Sequence, residues 1–164
     1  MDSHGRTRRA GASGVEVVGN PPGGVRADDV RAALAAALAA LGRRDAALTV
    51  RFAGDATLRA YNRRYRGVDR TTDVLSFPLG GMADGRRYLG DLLLSRERAR
   101  VQAASAGLTV KREVEELVLH GLLHLLGFDH ERDAGRMADV ERRLRRKGGL
   151  DEGLIERGFE AAPR

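Results

Sequence analysis

Apolar residues change their spacing several times along the chain, and each change predicts a different element. VEVVGN (15–20) is a short β-branched run that NPPGG then breaks, so it predicts a first strand. In VRADDVRAALAAALAALG the spacing becomes helical, an Ala/Leu stripe with Asp28 or Asp29 near its start and Gly42 at its end. ALTVRF (47–52) predicts a second strand, and GDATLRAYNRRYRG (54–67) a helix with Leu58, Tyr61 and Tyr65 at helical spacing. TTDVLSFP (71–78) predicts a third strand stopped by Pro78. RRYLGDLLLS (86–95) follows a Gly-rich turn and predicts a fourth. RERARVQAASAG predicts a helix ending at Gly107. TVKREVEELVLHGLLHLLGF (109–128) is the strongest helical pattern, with Thr109 as its cap. DAGRMADVERRLRRKGG (133–149) predicts a closing basic amphipathic helix. Helices and strands mix without regular βαβ alternation, which predicts an α+β fold: about four strands in a mixed sheet, packed against five or six helices.

Composition narrows this picture. A length of 164 residues with 42% apolar content fits one core, assigned to residues 15–150. MDSHGRTRRAGASG (1–14) is basic and without apolar periodicity, so it reads as a disordered leader that takes His4 with it, and residues 151–164 read as a tail. Cysteine is absent, so any bound metal must rest on His, Asp or Glu. The longest small-apolar run, AALAAALAAL (32–41), falls far short of the roughly 20 residues that span a bilayer. The N-terminus also lacks a signal-peptide apolar segment, so a cytoplasmic protein without a membrane partner is expected.

Lys and Arg number 29 against 23 Asp and Glu, a net charge of +6, and the pI is about 10.6. Such a surface favours polyanions and makes nucleic acid a natural partner, although genomic base composition also produces Arg-rich, Lys-poor chains. Aromatic residues are only 4% of the chain, so extensive base stacking is not expected, and recognition of a nucleic acid should lean on backbone charge and shape.

The sharpest chemical signal is HGLLHLLGFDH (120–130), which holds three of the four histidines. Residues four apart share a helix face, so His120 and His124 aim at one point. Gly127 stands where the helix can end in the left-handed conformation, letting the chain bring His130 back toward the pair. Three imidazoles fill three of zinc's four tetrahedral positions and leave the last for water. The leucines around them make this helix apolar almost all round, hence buried, and buried imidazoles need partners. Glu116 and Glu113 lie one and two turns earlier on the same face. Either could orient a ligand imidazole or touch a bound water, while Glu113 reads more readily as an exposed first-turn acid facing the helix dipole. The spacing H-x-x-x-H-x-x-G-x-x-H is that of the metzincin peptidases, where glutamate follows the first histidine as general base. Here Gly121 stands in that place, so the zincin-like metal site is retained at the end of a buried helix without the peptidase base.

HGLLHLLGFDH resembles the H-G-x-L-H-L-x-G-[YF]-D-H signature of the YbeY family of bacterial metal-dependent, single-strand endoribonucleases. YNRRYRGVDRTTDVLSFP is similar to that family's N-x-x-[YF]-R…T-D-V-L-S-F-P block, and YLGDLLLS to its L-G-D strand. The resemblance implies one zinc ion per chain held by His120, His124 and His130. It also implies a functional role for Arg66, whose planar fork of donors suits a phosphodiester; alone, Arg66 would read as a surface arginine. Further implied are cleavage of single-stranded or ribosomal RNA, maturation of the 3′ end of small-subunit rRNA, ribosome quality control, and the ribosome or small-subunit assembly proteins as partners.

Asp73 and Asp91 fall in matched segments as weak acid or base candidates, each with a structural alternative at a strand end. Asp129 suits the turn after the helix or a neighbouring imidazole. The family often has histidine where Glu116 stands, so the proton-transfer residue is open. Arg142, Arg143, Arg145, Arg146 and Lys147 are candidate RNA-guiding flanks, with a solvated helix face as the alternative. Two other functions fit parts of the pattern: a zincin-like peptidase with a relocated base such as Glu116, and a non-catalytic ribosome-assembly factor in which zinc is structural.

Overall fold

The computed structural model describes residues 13–128 and 135–148, with residues 145–148 given by backbone alone. The expected leader up to residue 12, the tail, Asp129 and His130 lie outside the described residues. Among the described residues five strands and five helices follow one another as β1 (Val15–Val18), α1 (Ala27–Ala40), β2 (Ala46–Ala53), α2 (Asp55–Arg66), β3 (Val74–Pro78), β4 (Met82–Ala83), β5 (Arg86–Ser95), α3 (Arg96–Ala106), α4 (Val110–Leu125) and α5 (Arg136–Gly148). The fold is α+β with one mixed sheet, in the order β1-β2-β5-β3 and with β4 also paired to β5.

One difference from the expected pattern has a physical reason. β4 is a two-residue strand inside the stretch read as a Gly-rich turn, too short to leave an alternation in the sequence. The sheet is mixed, as expected. β1 runs parallel to β2 through the α1 crossover, and β2 runs parallel to β5, while β3 and β4 pair with β5 antiparallel. Parallel pairing of non-consecutive strands is a long-range outcome that local periodicity does not carry.

Alternation along the strands sorts their side chains onto two faces. Leu48, Val50 and Phe52 of β2, Val74 of β3, and Leu92 and Leu94 of β5 join Val30, Leu34 and Leu38 of α1 and most of the apolar residues of α4 in the main core. Leu75 and Leu93 point the other way and pack on Leu58 of α2. α4 thus lies on one face and α2 on the opposite face of the β3–β5 half of the sheet.

The ends of α4 are set locally. Thr109 Oγ1 accepts a hydrogen bond from the Arg112 amide at 3.2 Å, capping the start. At the other end, Gly127 adopts φ +95°, its N–H donates to His124 O, and the Phe128 N–H donates to Leu123 O. This pair of bonds is the Schellman closure, which needs a residue tolerant of positive φ, so Gly127 stops the helix as the spacing implied.

Gly121 has a different reason to be glycine. A Cβ placed there would meet Leu92 Cδ2 at 2.8 Å and Cδ1 at 3.2 Å, and Leu92 is itself fully buried on β5. The Ser76 hydroxyl of β3 also donates to the Gly121 carbonyl at 3.5 Å. The missing side chain therefore lets α4 sit down on the sheet, and a glutamate at this position would have to occupy the space Leu92 fills.

In an exposed helix Gly→Ala would gain about 1 kcal/mol, but overpacking a filled core costs about 1–3 kcal/mol. Gly121→Ala is therefore expected to lower urea-unfolding stability slightly, and Gly121→Glu to cost more than about 3 kcal/mol by adding a buried carboxylate. Leu92→Ala should remove the penalty, so that Gly121→Ala becomes neutral or stabilising in that background. Strict additivity in this double-mutant cycle would show that the contact is not the cause.

Candidate functional site

His120 and His124 occupy the last turns of α4, fully buried and half-buried respectively. Their ring centroids are 4.8 Å apart and their Nε2 atoms 3.2 Å apart. In a tetrahedral zinc site with bonds of 2.0–2.1 Å, neighbouring ligand nitrogens lie roughly 3.3 Å apart, so this pair is spaced as two ligands of one cation would be. Among the described residues no group of three or more His, Cys, Asp or Glu side chains surrounds one point. His130, the third expected ligand, lies outside those residues, so a third nitrogen is an expectation from sequence.

The buried imidazole has a second partner that sequence reasoning did not single out. His120 Nδ1 lies 3.4 Å from Oε2 of Glu141, a buried residue of α5. An ionised carboxylate only accepts hydrogen bonds, so this contact favours the proton on Nδ1 and leaves the Nε2 lone pair directed at His124. That is the usual way a carboxylate orients a metal-binding histidine. A signal for Glu141 was present in the sequence. Met137, Val140, Glu141 and Leu144 fall at helical spacing, all are buried, and an acid inside such a stripe calls for a specific partner.

The two glutamates of α4 play other parts. Glu113, for which an exposed first-turn position is one of the two readings from sequence, is fully buried, and Glu116 is buried with its carboxylate 3.6 Å from Arg112 Nε. α4 sinks so far between the sheet and its neighbouring helices that one side of even its first turn is covered, while Lys111 on the other side stays exposed.

Arg66, at the end of α2, is half-buried and donates from Nη2 to the Ser76 carbonyl at 2.9 Å. Its Nε is buried with no acceptor among the described residues. Lost solvation pulls the guanidinium pKa below its ordinary value, yet the group keeps its charge at neutral pH. β3 lies at the end of the sheet order, and the Ser76 carbonyl points out of its open edge, because the neighbouring Leu75 and Phe77 make the paired contacts to β5. Ser76 thus joins Arg66, through its carbonyl, to the turn of α4 that carries His120, through its hydroxyl.

The remaining candidates are not brought to the histidine pair by any described contact. Asp73 bonds the Val74 amide at 2.7 Å and accepts from Thr72 Oγ1 at 3.4 Å, shaping the entry to β3. Asp91 accepts from the Tyr88 hydroxyl and lies 4.0 Å from Arg51. It projects to the sheet face opposite Leu92, and hence opposite α4. On α5, Arg142 pairs with Asp139 and Arg143 is exposed, while the side chains of Arg145, Arg146 and Lys147 lie outside the described residues.

If Glu141 orients His120, Glu141→Ala should weaken zinc binding about 10- to 100-fold in competition with a chromophoric chelator. Unchanged zinc affinity in a folded Glu141→Ala protein would assign the carboxylate a packing role only.

Comparison with known proteins places this geometry in a family. Residues 26–148 match the sequence family described as endoribonuclease YbeY. A protein of that name from Solibacter usitatus is 57% identical over 104 residues, covering 63% of this chain and 67% of its own length. One from an Anaeromyxobacter strain is 44% identical over 144 residues, covering 87% of this chain and 75% of its own, and one from Aquifex aeolicus is 42% identical over 108 residues, covering 66% and 72%. The solution structure of TM1509 from Thermotoga maritima superimposes with a TM-score of 0.55 at 23% identity, over 79% of this chain and 85% of that one, and supports the fold. The matched span takes in Arg66, Ser76, both described histidines of α4 and Glu141, and this chain belongs to the endoribonuclease YbeY family.

Proposed function

We infer that this chain is an endoribonuclease that hydrolyses phosphodiester bonds of single-stranded RNA with a metal held on α4, and that its work lies in ribosomal RNA maturation in the cytoplasm. The observation that carries this reading is the match over residues 26–148, because it contains the facing imidazoles of α4 and the arginine tied to them through Ser76.

His120, His124 and, by sequence, His130 would hold one zinc ion. When bound, it would supply Lewis acidity toward a phosphate oxygen and lower the pKa of water at the site. The chain's own residues define the rest. Glu141, an acceptor 3.4 Å from His120 Nδ1, favours the tautomer that keeps Nε2 available. Arg66 is anchored by one Nη2 bond to β3, which fixes its fork while leaving Nε with no acceptor among the described residues. A buried donor without a partner costs roughly 1–3 kcal/mol, and a phosphodiester oxygen would recover that cost while its charge is neutralised. In the water-depleted surroundings of a half-buried guanidinium, the same contact stabilises the extra negative charge that develops at phosphorus during cleavage. No helix among the described residues is long and apolar enough to cross a membrane. Net charge of +6 supports steering of a polyanion toward the site. Small-subunit rRNA, near its 3′ end, and ribosome-assembly proteins are the substrate and partners that this reading favours, with ribosome quality control as the setting.

The test uses purified protein with labelled single-stranded RNA and, in parallel, an unfolded protein substrate. His124→Ala and metal chelation are each expected to abolish RNA cutting, and Arg66→Ala to lower kcat/KM about 10²- to 10³-fold, the usual loss for one preorganised charge-stabilising donor. Intact RNA alongside His124-dependent cleavage of the unfolded protein would replace this reading with a peptidase.

A further inference from the structure

The chain contains three tyrosines, four phenylalanines and no tryptophan, and two of those tyrosines meet one phenylalanine beside Arg66. Tyr61 and Tyr65 lie one turn apart on α2 and stack with ring centroids 5.6 Å apart and planes inclined at 22°. Phe77, next to Ser76 on β3, presents its edge to both, at 6.1 Å from Tyr61 and 5.6 Å from Tyr65. The three rings continue the small core of Leu58, Leu75 and Leu93 outward toward solvent. Tyr61 and Phe77 are half-buried, but Tyr65 is 52% exposed, and the guanidinium of the exposed Arg64 lies over its ring, 5.3 Å from the centroid. The result is a flat aromatic surface with its rotation restricted by two rings behind it, an arginine plane in front, and Arg66 as its neighbour in the chain.

We propose that Tyr65 is a base-stacking platform for single-stranded RNA, with the incoming base taking the place on the ring face that the exposed Arg64 guanidinium now covers. This rests on the ribonuclease reading for its substrate class and adds a binding residue to it. Unpaired bases stack on aromatic rings and on arginine planes, whereas bases in a duplex have both faces covered by their neighbours, so such a platform selects single strands by shape rather than sequence. Its place follows from β3. Tyr65 packs on Phe77 and Arg66 bonds the carbonyl of the adjacent Ser76, so a nucleotide stacked on Tyr65 would neighbour the one whose phosphate Arg66 engages. The low aromatic content of the chain therefore limits the number of such contacts but does not remove this one. Tyr65 is a binding residue in this proposal, and it has no part in bond breaking.

The experiment compares the full-length wild-type protein with Tyr65→Ala, Tyr65→Leu and Tyr65→Phe. The probe is a single-stranded RNA oligonucleotide carrying a fluorescent purine analogue whose emission is quenched by stacking. Binding is measured with chelator present, so that no strand is cut, and steady-state cleavage is measured separately. Tyr65→Leu keeps apolar packing against Tyr61 and Phe77 while removing the ring face, so it tests stacking even if Tyr65→Ala fails to fold. Tyr65→Leu is expected to weaken binding and raise KM by about five- to tenfold, with kcat little changed, and to abolish the quench. Tyr65→Phe, which keeps the ring, should recover most of the lost affinity and the quench. Wild-type affinity and quench in Tyr65→Leu would overturn the platform, and would leave a protein contact as the use of this surface. A Tyr65-dependent quench in a wild-type protein that cuts no RNA would support the platform while removing the nuclease reading, so the two failures are distinguishable.

Discussion

The close approach of α4 to the sheet is the constraint from which the rest of the site follows. Gly121 lets the helix settle against Leu92 and bond Ser76, and that depth carries Glu113, Glu116 and His120 into the interior along with the leucines. A buried imidazole or carboxylate is tolerable only with a defined partner. The contacts of His120 with His124 and Glu141, and of Glu116 with Arg112, are therefore consequences of one packing decision. The glycine in the place of a peptidase glutamate has a steric meaning as well as a chemical one, since the volume a base would need belongs to Leu92.

β3 turns that packing into a site with two sides. A strand presents successive side chains to opposite faces, and an edge strand leaves alternate carbonyls unpaired. Ser76 sends its hydroxyl to α4 and its carbonyl to Arg66, and Phe77 turns to the tyrosines of α2. Two adjacent residues thus register the imidazoles, the guanidinium and the aromatic surface against one another. Because the strand is held by β5 along its length, these groups share one rigid reference rather than depending on loop conformation.

Much of this was legible in the chain. The strands at 15–18, 46–53, 74–78 and 86–95 and all five helices left clear periodic patterns, and Thr109, Gly107 and Gly127 mark helix ends where they stand. The pairing of His120 with His124 follows from their helical spacing alone. Less legible were features that depend on depth or on distant partners. Glu113 lies in a first helical turn, where acids are usually solvated, and nothing local announces its burial. Asp91 shares a motif with the site yet points away from α4, because only the sheet determines which face each strand residue meets.

Local periodicity, capping chemistry and histidine spacing are properties of a few neighbouring residues, so the sequence by itself determined the elements, the end of α4 and the identity of the imidazole pair. Which strands run parallel, which carboxylate faces His120, how Arg66 meets Ser76 and where the few aromatic rings gather are contacts between residues far apart in the chain. Their outcome depends on how closely α4 and α2 approach the two faces of one sheet, and that distance is settled by the packing of Leu92, Gly121 and Phe77 in three dimensions.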